Sequence, residues 1–194
     1  MIKKLIVSTL LATSFMYANS SNNIKYLEEE KMENNNIRPF IGMELGFALL
    51  SSNEPIDKTI YSSGFYAGIP IYTWELISKY KISNTKDFNL NKTSLSLNIP
   101  ISGSGTDMTY IGVIAGQSDL SWSDNRIASF SLIKQDSKNS FYGIHIGQKY
   151  KYSRNYYLRV ELEYSKYEFE TKSYVSDVLI DYSTEFICAF EYKF

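Results

Sequence analysis

From Ile37 to its last residue the chain alternates apolar and polar side chains with a period of two. The clearest stretch is the end. Phe186, Cys188, Phe190, Tyr192 and Phe194 fall on one face, and Glu185, Ile187, Ala189, Glu191 and Lys193 on the other. Upstream, Leu158, Val160, Leu162 and Tyr164 oppose Arg159, Glu161, Glu163 and Ser165. Tyr142, Ile144, Ile146, Tyr150 and Tyr152 oppose Gly143, His145, Gly147, Lys149 and Lys151, and Ile41, Met43, Leu45 and Phe47 oppose Gly42, Glu44 and Gly46. Successive side chains of a strand point to opposite faces, so this pattern specifies strands with one apolar and one polar face.

Two architectures satisfy the pattern. A soluble sandwich or lipocalin-like barrel points the apolar face inward and the charges to water. A barrel in a membrane points the apolar face to lipid and the charges into the lumen. Three features favour the membrane. The alternating runs are long, and a tilted membrane strand needs about 9 to 11 residues. Tyr and Phe gather at strand ends (Tyr150, Tyr152, Tyr156, Tyr157, then Tyr164, Tyr167, Phe169), as an interfacial girdle requires. The polar face mixes Gly with charge, which suits a crowded interior.

The start of the chain fits export. Met1-Ile2-Lys3-Lys4 is basic, Leu5 to Tyr17 is apolar, and Ala18 is a small residue suited to cleavage, so residues 1–18 read as a signal peptide. The apolar run is shorter than the roughly 20 residues that span hydrocarbon. Residues 19–36, rich in Asn and Glu, read as a polar tether, and 37–194 as the barrel.

The ending FICAFEYKF resembles the C-terminal assembly signal of small Gram-negative outer-membrane β-barrels of the OmpA/OmpX type, and PFIGMELG and TYIGVIAG are similar to their strands. The resemblance implies that Phe186, Cys188, Phe190, Tyr192 and Phe194 are read by the barrel-insertion machinery. It also implies that both termini lie in the periplasm. The chain stops at the barrel, so the peptidoglycan-binding domain of larger members is expected to be missing.

Sixteen strands would leave too little chain for their connections, and single-chain bacterial barrels have even counts. The expectation is therefore an all-β, antiparallel up-and-down transmembrane barrel of eight strands, with ten as the fallback. Segments 38–49, 139–152, 155–170 and 181–194 stand out as strands. The middle supports two parses. One runs a long strand through 60–83, turns at Asn84 to Asp87, and adds 88–101, 108–117 and 126–134. The other breaks near Pro70 and makes 119–138 a surface loop.

Glu44, Lys149, Lys151, Arg159, Glu161, Glu163, Glu185, Glu191 and Lys193 would project into the interior. They could form a selectivity ring. An eight-stranded barrel is only just wide enough for its side chains, however, so a lattice of ion pairs plugging the lumen is the expected arrangement. His145, the one histidine, is expected to be a bonded lumen residue. As a catalytic base it would need a nucleophile and a carboxylate in reach, for which Ser140 and Glu161 or Glu163 are the conceivable partners. Trp74 and Trp122 are candidate interface anchors or ordinary strand residues. Cys188 reads as an apolar filler.

No catalytic, cofactor or metal motif is present in the sequence. A net charge of −1 argues against nucleic acid. The expected partners are outer-membrane lipid, the assembly machinery and an extracellular ligand at loops such as Ser51 to Tyr61 and Thr171 to Asp181. The barrel is expected to be a monomer in the outer membrane.

Overall fold

A computed structural model describes residues 38–53, 56, 59–103, 106–123, 136–171 and 178–194. The expected signal peptide and tether lie outside the described residues. Eight strands follow in order: β1 (Phe40–Ser52), β2 (Thr59–Ile71), β3 (Trp74–Asn84), β4 (Phe88–Gly103), β5 (Asp107–Trp122), β6 (Asp136–Lys151), β7 (Tyr156–Thr171) and β8 (Val178–Lys193). Each pairs antiparallel with its sequence neighbours, and β1 pairs with β8 to close the barrel. The closing seam runs from Phe40 opposite Lys193 to Ser52 opposite Ile180. Closure leaves no unpaired strand edge, the condition for a sheet to sit in hydrocarbon.

β1, β6, β7 and β8 fall on the four segments that the alternation marks, and the count is eight. In the middle, the long strand through 60–83 is corrected to two strands. The chain reverses at Tyr72-Thr73, with Ile71 facing Trp74 across a two-residue hairpin and Tyr72 at a φ of 56°. Positive φ at such a position matches the twist of a tight hairpin. Two residues bear no Gly or Asn there, which hid the turn. The turn at 84–87 does form: Thr85 Oγ1 accepts from Asp87 N at 3.1 Å and from Phe88 N at 3.0 Å. β5 runs on to Trp122 instead of ending at 117, and the expected strand at 126–134 lies outside the described residues.

The apolar face is the outer one. On β1, Leu45 is 68% exposed while its neighbour Glu44 is 3% exposed. Ile41, Met43, Phe65, Leu95, Val113, Ile144, Leu162 and Phe190 continue this outer surface. A soluble barrel would reverse that arrangement. Phe186, Cys188, Phe190, Tyr192 and Phe194 share the outer face of β8, with Cys188 as a free, exposed thiol.

The girdle needs a correction. Tyr152, Tyr156 and Tyr164 face outward, but Tyr157, Tyr167 and Phe169 are buried inside. They share the parity of Arg159 and Glu161, and parity sets the face whatever the position along a strand. Trp74 faces outward near the β2–β3 turn, whereas Trp122 is 2% exposed and inside. It meets Phe88 edge to face at 5.6 Å, so it is not an interface anchor.

Inward glycines let neighbouring strands approach. A Cβ on Gly116 would meet the carbonyl oxygen of Thr93 at 2.1 Å and the Cα of Ser94 at 2.7 Å, both backbone atoms that cannot swing aside. Gly116→Ala is therefore expected to cost about 1–3 kcal/mol by overpacking. Urea unfolding in detergent micelles should show the lowered midpoint, with Ala115→Val on the outer face leaving it unchanged.

Candidate functional site

Inward residues of β1, β3, β4, β6, β7 and β8 meet in the middle of the barrel and form one continuous ladder of opposite charges. Starting from β3, Lys149 lies between Glu75 (2.6 Å) and Glu191 (2.5 Å). Arg159 joins Glu191 (2.9 Å) to Glu161 (3.3 Å) and also reaches Glu75 (2.8 Å). Lys79 spans Glu161 (2.8 Å) and Glu44 (3.9 Å), and Lys81 spans Glu44 (3.1 Å) and Glu185 (3.1 Å). Lys92 ends the series between Glu185 (3.2 Å) and Glu163 (3.9 Å). Each cation sits between carboxylates, and each of these residues is buried.

Neutral donors fill remaining lone pairs. Tyr110 donates to Glu161 at 2.7 Å, Ser165 to Glu163 at 2.9 Å, Tyr66 to Glu191 at 3.5 Å, and Ser62 donates to Glu185. The Arg159 guanidinium also lies 5.3 Å from the ring centres of both Tyr66 and Tyr110. Buried charges hold together when they are paired and hydrogen-bonded, because desolvation of each ion otherwise costs several kcal/mol; Arg159 Nε and Glu163 Oε2 are buried without a hydrogen bond.

Of the expected interior charges, the fold brings together Glu44, Lys149, Arg159, Glu161, Glu163, Glu185 and Glu191. Lys151 and Lys193 are half-buried at the rim where β1 begins and β8 ends, and they pair in register with Tyr157 and Phe40. Glu75, Lys79, Lys81 and Lys92 belong to the ladder and escape the sequence reading. For the three on β3 the signal is the parity of Glu75, Ile77, Lys79, Lys81 and Ser83, readable only once the reversal at Tyr72 is known; Lys92 shares the parity of Leu90 and Ser94 on β4.

The ladder is bounded by apolar tiers. Toward the β1–β2, β3–β4, β5–β6 and β7–β8 connections, Ile60, Leu90, Leu120, Trp122, Phe141 and Tyr167 belong to one buried cluster. Toward the termini, Phe40, Tyr66, Ile77 and Ala189 form another. Lys92 links ladder and tier, 5.7 Å from the ring centre of Phe141 and 5.4 Å from that of Tyr167. A purely polar interior is thus corrected to a charged middle between apolar ends.

His145 is 2% exposed in the interior, and its Nε2 lies 2.7 Å from Asn98 Oδ1. That oxygen accepts, so Nε2 carries the hydrogen. Asn98 Nδ2 in turn donates to Glu75 at 3.5 Å. Ser140 faces outward on the same strand and cannot serve His145. Ser96 Oγ, 3.5 Å from Nε2, is itself buried and donates to Asn98 Oδ1 at 3.2 Å. Among the described residues no group of three or more His, Cys, Asp or Glu is placed to hold a metal ion.

No protein-family model matches the chain, and no curated protein matches it in sequence. Solved structures do match in shape. Neisserial surface protein A aligns with a TM-score of 0.65 at 18% identity, covering 80% of this chain and 97% of that one. Outer membrane protein H of P. aeruginosa aligns at 0.56 and 17%, covering 81% and 99%. Ail, the attachment invasion locus protein of Yersinia pestis, in complex with the heparin analogue sucrose octasulfate, aligns at 0.51 and 13%, covering 82% and 99%.

Removing one member of the ladder strands its neighbours. Arg159→Leu leaves Glu75, Glu161 and Glu191 buried without that cation, and is expected to cost about 3–5 kcal/mol. The folded band on a gel run without boiling should melt at markedly lower temperature or urea concentration than for the unaltered protein.

Proposed function

We propose that the protein, whose fold is that of the small eight-stranded outer-membrane barrels, spans the outer membrane of a Gram-negative bacterium as a monomer, with a structural or surface-interaction role and a plugged lumen. The observation that carries this is the buried, continuous ion-pair ladder inside a wall whose outer face is apolar. Lipid takes the place of water outside, and paired charges take the place of water inside. The apolar tiers at either end support closure against solutes, since an open polar path would have to pass Trp122, Phe141 and Tyr167 at one end and Phe40 and Tyr66 at the other.

In this reading residues 1–18 direct export and are removed, 19–36 tether, and the outer face of β8 ending in Phe194 is the recognition element for barrel insertion. Any ligand would bind at the connections on the ladder's far side from the termini, because connections on a rigid wall are where such folds carry recognition. The likeness to a neisserial surface protein and to an attachment protein supports a surface role. His145, committed to Asn98, acts as a bonded interior residue and the barrel works without a cofactor.

Two measurements test the proposal. Protein extracted from membranes in detergent should run as two bands, folded and unfolded, according to whether it is boiled. Pure protein in planar bilayers should show no stepwise conductance. Recovery in the soluble periplasm without a band shift would remove the membrane reading, and stable single-channel openings would replace the plug with a narrow pore.

A further inference from the structure

Along β4, β5 and β6 the outer face changes from apolar to polar part-way up the strand. In the half nearer the β4–β5 connection, the outer face is Leu95, Leu97 and Ile99 on β4, Ile111, Val113 and Ala115 on β5, and Tyr142, Ile144 and Ile146 on β6. In the other half the outer face becomes Asn89 and Asn91, then Gln117, Asp119 and Ser121, then Lys138 and Ser140. These rows are in register across the three strands: Asn91 faces Asp119, which faces Lys138, and Leu97 faces Val113, which faces Ile144. The inner face is mixed on both sides of that level: above it Phe88, Leu90, Leu120 and Trp122 stand with buried Lys92 and Ser118, and below it Ser94, Ser96, Asn98 and His145 stand with Tyr110 and Ile114.

The outer face of this upper part is polar, unlike the apolar outer band below it. Hydrocarbon would leave the amides of Asn91 and Gln117 and the carboxylate of Asp119 without solvent, a cost that sheets in membranes avoid. The Lys138–Asp119 ion pair on this face spans 3.5 Å with side chains 82% and 50% exposed, the state of a solvated pair.

We infer that the lipid boundary crosses the barrel at the row Thr93, Gln117 and Ser140, and that the outer face of β4–β6 above it is a surface for the polar headgroups of the same leaflet. The occupant follows from continuity. The face begins where the lipid-facing band ends, and it offers amides, hydroxyls and one closed ion pair, the hydrogen-bonding groups that headgroup phosphates and hydroxyls accept and donate to. The inference rests on the membrane reading above, and the experiment separates the two.

In a Cys188→Ser background, single cysteines are placed at Asn91, Asp119 and Lys138, and in a second set at Leu97, Val113 and Ile144. Each variant is checked by its heat-dependent gel shift and reassembled in phosphatidylcholine nanodiscs. A charged maleimide should modify the first set within a few fold of its rate in detergent, and the second set at least tenfold more slowly. If the first set is as protected as the second, the boundary lies higher and the inference falls while the membrane reading stands. If both sets react alike and fast, the membrane reading falls with it. The unaltered protein supplies a probe that needs no substitution: Lys138 should be acylated in nanodiscs by a charged, water-soluble active ester, read by mass spectrometry, and protection of Lys138 overturns the inference.

Discussion

The rest of the structure depends on charge alternation among side chains buried inside the barrel. Five cations and six carboxylates from six of the eight strands stand in a sequence where each cation touches carboxylates on two sides. No strand supplies a complete pair of its own except β7, whose Arg159 and Glu161 lie on the same face. The ladder therefore exists only when the strands are assembled around it in the right stagger. In a sheet whose outer face finds no driving force in clustering against lipid, this buried complementarity is a natural source of register. A slip of one residue would send Arg159, Glu161 and Glu163 to the outer face together.

Much of this was legible because the side-chain period is two and needs no alignment to detect. The C-terminal strand is the best case: its five outer residues and its inner Glu185 and Glu191 all take the faces the sequence assigns them. The middle was opaque for a local reason. Tyr72 and Thr73 are poor advertisements for a hairpin, and an unmarked reversal between Ile71 and Trp74 leaves the parity of Glu75 to Ser83 unassigned. Glu75, Lys79 and Lys81 were lost to that one turn, whereas Lys92 lies on a strand that the turn at 84–87 already set apart. The aromatic errors have another origin. Tyr157, Tyr167 and Trp122 sit near strand ends, where aromatics anchor interfaces, but their parity puts them inside, and parity prevails because the strand backbone leaves it no freedom.

The interior closes by two unlike means, ion pairing in the middle and apolar packing at the ends. Lys92 shows how they meet, with its ammonium between Glu185 and Glu163 and over the rings of Phe141 and Tyr167. Aromatic faces accept a cation electrostatically, so this lysine costs little at the border between tiers. The weak sequence identity to structures of the same shape has a related explanation. Alternation and closure specify the wall, and many combinations of paired charges and packed rings can fill it.

The seam between β1 and β8 ties the two ends of the barrel chain to each other. Phe40 faces Lys193, and the amide of Phe194 donates to the carbonyl of Pro39 at 3.0 Å. Glu44 and Glu185, on the two sides of this seam, share Lys81. A ribosome that halts before the last strand consequently produces no smaller barrel, only seven strands with both edges open and Lys81 and Lys92 deprived of a carboxylate. The final sixteen residues of the wall decide whether the preceding ones have anywhere to go, which makes early termination an all-or-nothing loss and not a graded one.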